Sequence, residues 1–281
     1  MMLNYHRQAK STGLSWSELK KLTVSGIIAF FADTIGMGSF AVNIFLAKTL
    51  NTFEDAEFPA MTNLAQVIPG LIEALFFLTL FQVDMLTLLT LVLATCIGGV
   101  LGGLTMTRLN KQPLCIAMMA AFMVIIVLLL LAQFDCLPMD GSLTTLRGLK
   151  LFFGFVGLVI AGSLTAAGVG LFVMVQAVLF MLNMSPIVAF PIMTIAGAMQ
   201  QPLTAMIFLK QPNLPMAKIG WLSLVGCLGV FLGLGVVSHL NTAWLRWLLL
   251  IIVSYNFVAV SRTVFDRRKF NANSVTQMSE A

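Results

Sequence analysis

Long apolar stretches separated by short polar gaps dominate the chain. None of these stretches alternates strictly between polar and apolar residues, and most approach the roughly 20 residues with which a helix crosses a bilayer core. Eight of them occupy residues 23–48, 59–80, 86–107, 113–134, 151–182, 187–209, 219–238 and 244–264. Because an open segment in lipid satisfies its backbone only as a helix, the pattern predicts an all-α integral membrane protein with about eight hydrophobic helical segments.

The first half of the chain is repeated in the second half. A shift of 132 residues aligns 36–78 with 168–210 without a gap, and eleven of the 43 aligned pairs are identical. The shared strings include Gly-x-Gly-x-Phe and Phe-Pro-x-Met-Thr, and a shift of 131 continues the match through Cys96/Cys227 and Asn110/Asn241. Duplicated halves with a ligand site where they meet are typical of transporters. We therefore predict two homologous four-segment repeats, 23–134 and 151–265, with an N-terminal segment 1–22, a connecting loop 135–150 and a tail 266–281.

Two glycines lie in the middle of the first segment of each repeat, in the strings DTIGMGSF and TAAGVGLF. If these glycines only break one span, each half crosses four times and the copies are parallel. If they turn a re-entrant hairpin, each half crosses three times and the copies are inverted. Segment 151–182 would be about 48 Å long as a single helix, which is long for one crossing and favours the broken or re-entrant form.

Composition and charge support a membrane location. Hydrophobic residues make up 59% of the chain and charged residues only 10%, whereas soluble domains carry about 25% charged residues. The net charge of +5 comes from Lys and Arg clustered before the first and after the last apolar stretch. Under the positive-inside rule this places both termini in the cytoplasm of a bacterial-type inner (plasma) membrane, and it argues against a nucleic-acid partner. The charged first 21 residues contain no apolar core of a cleaved signal peptide.

The glycine turns are the first candidates for a binding site. Glycine permits a positive φ and a close approach to backbone amides, and interrupted helices direct their amino ends at anions. The alternative is that these glycines only let helices pack closely. Two copies at equivalent positions favour the site, whose predicted substrate-binding residues are Gly36, Met37, Gly38, Ser39, Gly168, Val169 and Gly170.

Polar residues in the apolar segments provide further candidates. Thr62 and Asn63 in one half and Thr194 in the other follow matched prolines, and we predict that they contact the substrate; the alternative is hydrogen bonding between helices. Gln66, Gln200 and Gln201 accompany them. Asp33 and Glu73 are the carboxylates well inside apolar segments, where an acid costs roughly 3 kcal/mol on insertion scales. They are predicted to couple transport to H⁺ or Na⁺, or else to be neutral or paired structural acids.

Other chemistry is not indicated. The cysteines form no CxxC pair and the two histidines are isolated, so no metal site is predicted. Catalytic and nucleotide-binding motifs are lacking, so we expect neither an enzyme nor a cofactor. Small-xxx-small patterns are predicted to be helix-packing positions; they are Gly98, Gly99, Gly102, Gly103, Gly229 and Gly233.

The chain resembles the TauE/SafE sulfite exporter family over about residues 22–265. The resemblance rests on the Gly-rich turn after Asp33, on the string GGLTMTRLNKQPL and on its echo LGLGVVSHLNTAWLR. It implies a secondary carrier of small sulfur-containing anions such as sulfite or organosulfonates. The positions that it carries over are Asp33, Gly36, Gly38, Pro59, Thr62, Gly168, Gly170, Pro191 and Thr194. The family turn is often a longer glycine run, which Met37, Ser39, Val169 and Leu171 interrupt or end here.

The sequence thus predicts a permease that binds a small anion between two glycine turns at mid-membrane. The alternatives are an anion channel and a membrane-embedded assembly factor or enzyme without transport activity. A channel would show a continuous polar stripe or a ring of charges, and an enzyme would need a catalytic cluster. Partners are the anion, the lipid bilayer and a coupling ion; the oligomeric state stays open.

Overall fold

The structure is a computed structural model that describes residues 14–35, 37–80, 83–109, 111–134, 141–168, 170–236 and positions 250, 251, 254, 255, 257, 258 and 261. The described residues form helices joined by turns and loops, with one isolated bridge between Leu143 and Met184. This confirms the all-α class. The helices are α1 (Trp16–Thr34), α2 (Ser39–Leu50), α3 (Phe58–Ala65), α4 (Val67–Leu80), α5 (Met85–Met106), α6 (Lys111–Gln133), α7 (Gly148–Thr165), α8 (Leu171–Met181), α9 (Pro186–Phe208) and α10 (Met216–Leu234).

Three helices in the described part of the chain, α5, α7 and α10, are long and apolar enough to cross a membrane. A fourth crossing results if α3 and α4, which are bent by 42° against each other, form one span. The bend divides the predicted segment 59–80 at Gln66. Its physical cause is Pro69, which lacks the N–H that would bond the carbonyl of Ala65.

Both first segments are helical hairpins. At the open end of the first hairpin, Lys21 Nζ of α1 donates to the carbonyl of Leu50, the last residue of α2, over 3.1 Å. At the open end of the second, the amide of Leu143, just before α7, donates to the carbonyl of Asn183, just after α8, over 3.0 Å. In each case the chain therefore turns back at the glycines and returns to the end at which it entered.

The two hairpins end in the same backbone turn. Asn51 after α2 has φ 52° and Asn183 after α8 has φ 65°, the left-handed region that asparagine tolerates better than most residues. The amide of Thr52 donates to Ala47 O over 3.0 Å, and the amide of Met184 donates to Leu179 O over 3.0 Å. The left-handed asparagine and this hydrogen bond in one turn thus have counterparts 132 residues later.

Glycines bring two helix pairs into close contact, as the small-residue pattern predicted. In the pair α5–α7, a Cβ on Gly98 would lie 2.1 Å from the carbonyl oxygen of Val159. In the pair α1–α10, a Cβ on Gly229 would lie 2.4 Å from the carbonyl oxygen of Ile27. Since Gly98 and Gly229 are matched by the repeat, each half packs its third apolar segment on the first helix of the other half.

Ion pairs mark the two ends of the helix bundle. Glu18 and Lys218, 3.0 Å apart, join the starts of α1 and α10, which we call the first end. Asp84 and Arg147, 2.7 Å apart, join the starts of α5 and α7, which we call the second end. α9 leaves the second end just after Met184 and rises about 34 Å over its 23 residues before α10 starts at the first end. The hairpins therefore enter from opposite ends, with their glycine turns pointing inward.

Candidate functional site

Asp33 lies in the last turn of α1 and is 1% exposed. The amide of Ser39, the first residue of α2, donates to Asp33 Oδ1 over 2.7 Å. Free N–H groups at a helix start attract negative charge. The carboxylate thus caps the second helix of its own hairpin across the glycine turn, and Gly38 at φ 82° makes that turn possible.

Gln66 completes a closed network with these two residues. It lies at the bend between α3 and α4, where its Nε2 donates to Asp33 Oδ2 and its Oε1 accepts from Ser39 Oγ. All three side chains are buried. Both oxygens of Asp33 therefore accept N–H groups, which is the arrangement expected of an ionised carboxylate.

Glu73 is the second buried acid, two helical turns beyond Gln66 on α4 and 1% exposed. Its carboxyl lies beside that of Asp33. Two neighbouring buried carboxyls retain one proton between them, and because Asp33 already accepts two N–H groups, we assign that proton to Glu73. Glu73 Oε1 has no hydrogen-bond partner among the described residues. The sequence named both acids but could not show that they touch.

A narrow crevice separates the tips of the two hairpins. The cap and the first two residues of α2 line one side, and those of α8 line the other. The lining residues are Asp33, Gly38, Ser39, Phe40, Gln66, Gly170, Leu171, Phe172 and Gln201. In this conformation the crevice is too narrow to hold a water molecule. The amino ends of two helices thus converge on one small buried space.

Gln201 on α9 is the unsatisfied polar group of the crevice. It is 2% exposed, and its Oε1 has no hydrogen-bond partner in the described part of the chain. A buried amide without a partner is unfavourable by about 1–3 kcal/mol. This oxygen is an acceptor, so a hydrogen-bond donor in the crevice would satisfy it.

The two sides of the crevice differ in charge. Thr165 occupies the position that matches Asp33, and its hydroxyl donates to the carbonyl of Ala161 in its own helix over 2.9 Å. The turn before α8 has φ 86° at Gly168, where a Cβ would be 3.5–3.7 Å from Ile44, Met118 and Pro59. The start of α8 therefore has no carboxylate equivalent to Asp33.

The structure brings some of the predicted site residues together and separates others. Gly38, Ser39, Gly170 and Asp33 line the crevice, Met37 is buried in the turn, and Gly168 precedes α8. Gly36 and Val169 lie outside the described residues.

Thr62, Asn63 and Thr194 do not line the crevice. Thr62 Oγ1 donates to Phe58 O over 2.8 Å, and Thr194 Oγ1 donates to Pro191 O over 3.1 Å, each within its own helix. Asn63 Nδ2 donates to Pro59 O over 2.8 Å. A role for these three residues in substrate binding stays a prediction, which the structure gives no contact to support.

Five crevice residues were not among the predicted site residues: Gln66, Gln201, Phe40, Leu171 and Phe172. The glutamines carried a usable signal, because amides in apolar helices are rare and need partners. The phenylalanines are a matched pair of the repeat, but phenylalanine is too common in this chain to indicate a site.

No protein-family model and no curated protein matches the chain.

Proposed function

We propose that this protein is a secondary carrier of small anions, with sulfur oxyanions and organosulfonates as the first class to test. The observation that supports this most directly is the convergence of the amino ends of α2 and α8 on one buried crevice. Helix amino ends present N–H groups and a positive partial charge to an anion. The resemblance to the TauE/SafE family indicates the same substrate class.

The proposed architecture is an inverted duplication of 23–134 and 151–265. Three features support it: hairpins entering from opposite ends, the same asparagine turn after each hairpin, and reciprocal packing of α1 on α10 and of α5 on α7. Under this proposal each half crosses the bilayer three times beside its re-entrant hairpin. A bacterial-type inner membrane with cytoplasmic termini remains the prediction from the charge pattern.

A carrier fits the crevice better than an open channel does. A conducting channel needs a continuous polar path, whereas this crevice is too narrow to hold water and lies between two opposed hairpin tips. In a carrier such a narrow state is one step of alternating access, in which one repeat moves against the other.

Counterflow in proteoliposomes tests the proposal. Vesicles containing the purified full chain are loaded with one unlabelled compound and exposed to the same compound in radiolabelled form. The panel contains sulfite, thiosulfate, isethionate and taurine, with ethanolamine as a cationic compound of similar size. We expect saturable counterflow for at least one anion and none for ethanolamine. Conductance without counterflow would identify a channel, and transport of ethanolamine alone would overturn the assignment of an anion.

A further inference from the structure

The carboxylate of Asp33 occupies the position in which an anionic ligand of α2 would bind. It lies on the wall of the crevice, and its Oδ1 accepts the first N–H of α2 over 2.7 Å. The space beside Gly38 is open, with no atom within 4 Å of a Cβ built there. An anion that enters the crevice from this side therefore meets a donor that is already in use.

We propose that Asp33 is a tethered anion that competes with the substrate for the Ser39 amide, so that each bound anion takes up one proton. This inference rests on the proposed function. A second anion beside a buried carboxylate is strongly unfavourable in a low dielectric. Protonation of Asp33 removes that repulsion and releases the amide to the substrate.

The charge balance of the step follows from the contacts. Before binding, Asp33 and Glu73 share one proton and carry a charge of −1 together. When an anion oxygen accepts the Ser39 N–H, Asp33 gives up that bond and takes a proton from solution, so that the pair holds two protons. The site then carries −1 on a monovalent substrate, and its net charge has not changed.

Few groups other than Asp33 could take up the proton when the anion binds. Glu73 reaches it from α4, and Ser39 and Gln66 reach it from α2 and the α3–α4 bend. Three lysines bind partners at the open end of the first hairpin instead: Lys21 of α1, Lys48 of α2 and Lys218 of α10. The side of the crevice formed by α8 is neutral, since Thr165 replaces the acid there. The α8 amides therefore hold the anion at either pH, and the α2 side supplies the linkage.

Calorimetric binding of isethionate to the full chain in nanodiscs is the test. Isethionate keeps its charge from mildly acidic to mildly alkaline pH, so a pH effect reports on the protein. We expect uptake of about one proton per anion, measured in buffers of different ionisation enthalpy. At pH values above those at which Asp33 titrates in the empty site, the affinity for isethionate should fall about tenfold for each unit of pH. Asp33→Asn should bind without proton uptake and with little dependence on pH, whereas Glu73→Gln should keep the wild-type slope.

A proline variant tests the amide itself. Proline is well tolerated at the first position of a helix and removes its N–H, so Ser39→Pro deletes the shared donor. Ser39→Ala is the matched control, because both variants lose the hydroxyl that donates to Gln66. We expect Ser39→Pro to lose at least tenfold more affinity for isethionate than Ser39→Ala.

The outcomes separate this inference from the proposed function. If the wild type binds none of isethionate, thiosulfate or taurine at any pH, the proposed function fails. Wild-type binding without proton uptake would overturn the inference alone, and that measurement needs no variant to fold. A wild-type slope in Asp33→Asn, or equal affinities of Ser39→Pro and Ser39→Ala, would also overturn it.

Discussion

Replacing Gly98 with alanine should loosen the contact between α5 and α7. The added Cβ would lie 2.1 Å from the carbonyl oxygen of Val159 and 3.0 Å from the amide nitrogen of Ser163. Both are backbone atoms of a helix, so no side-chain rotation can relieve the overlap. Restoring an ordinary separation of about 3.5 Å requires the helices to move apart by roughly 1 Å or more.

The expected magnitude is the difference between two opposing effects. Overpacking in a closely packed interior costs about 1–3 kcal/mol, and a clash with backbone belongs at the upper end of that range. Alanine recovers about 1 kcal/mol of helix propensity relative to glycine. We therefore expect Gly98→Ala to destabilise the fold by about 2 kcal/mol. Gly229→Ala in the matched α1–α10 contact should have a similar effect.

Thermal unfolding of each variant in the same detergent measures the loss of stability, with Gly220→Ala as the control. Gly220 lies on α10, is exposed, and has no atom within 4 Å of a Cβ built on it, so its alanine variant should be as stable as the wild type or slightly more stable. If Gly98→Ala has the same melting temperature as the Gly220→Ala control, the packing argument is refuted. A loss in Gly98→Ala without one in Gly229→Ala would contradict the reciprocity of the two contacts.

Two further predictions concern the crevice and the second end. Gln201→Leu should raise the KM of anion uptake more than Thr194→Val, since the Gln201 amide faces the crevice whereas the Thr194 hydroxyl donates to its own helix; the reverse order would place binding at the threonines. Asp84→Asn should lower the melting temperature at neutral pH. Hydrogen bonds from Arg147 hold the pKa of Asp84 below its usual range, so its stabilisation is complete above the unfolded-state value of about 4 and is lost as the pH falls further. In thermal melts at decreasing pH, the difference in melting temperature between Asp84→Asn and the wild type should shrink. A difference that grows as the pH falls would contradict this prediction.

Features that depend on nearby residues were predictable from the sequence. The helical class follows from long apolar stretches without alternation, and the packing role of Gly98 and Gly229 follows from their spacing. The glycines mark the two turns because a sharp reversal between helices needs a residue that accepts a positive φ, as Gly38 and Gly168 do. The repeat also located both turns, since a fixed offset is visible without any knowledge of packing.

Apolar length alone did not show which segments cross and which turn back. It predicted about eight of them; among the described residues, three helices, or four with the bent α3–α4 pair, are long and apolar enough to cross, and the predicted segment 244–264 lies largely outside those residues. Hydropathy does not distinguish a helix that continues from one that turns back, because both arms of a hairpin are equally apolar. Contacts such as Lys21 with Leu50 make that distinction, and they depend on residues far apart in the chain.

The site was determined by tertiary structure for the same reason. The sequence by itself identified Asp33, Glu73 and the glycine turns as unusual, since acids and turns are out of place in apolar helices. Only the fold decided that Asp33 caps α2 through Ser39 and that Gln66 joins them from 33 residues beyond Asp33. It also set Gln201 opposite the same crevice while leaving Thr62 bonded to its own helix. Local chemistry shows which groups need a partner, whereas the packing of the two hairpin tips selects which partner each group finds.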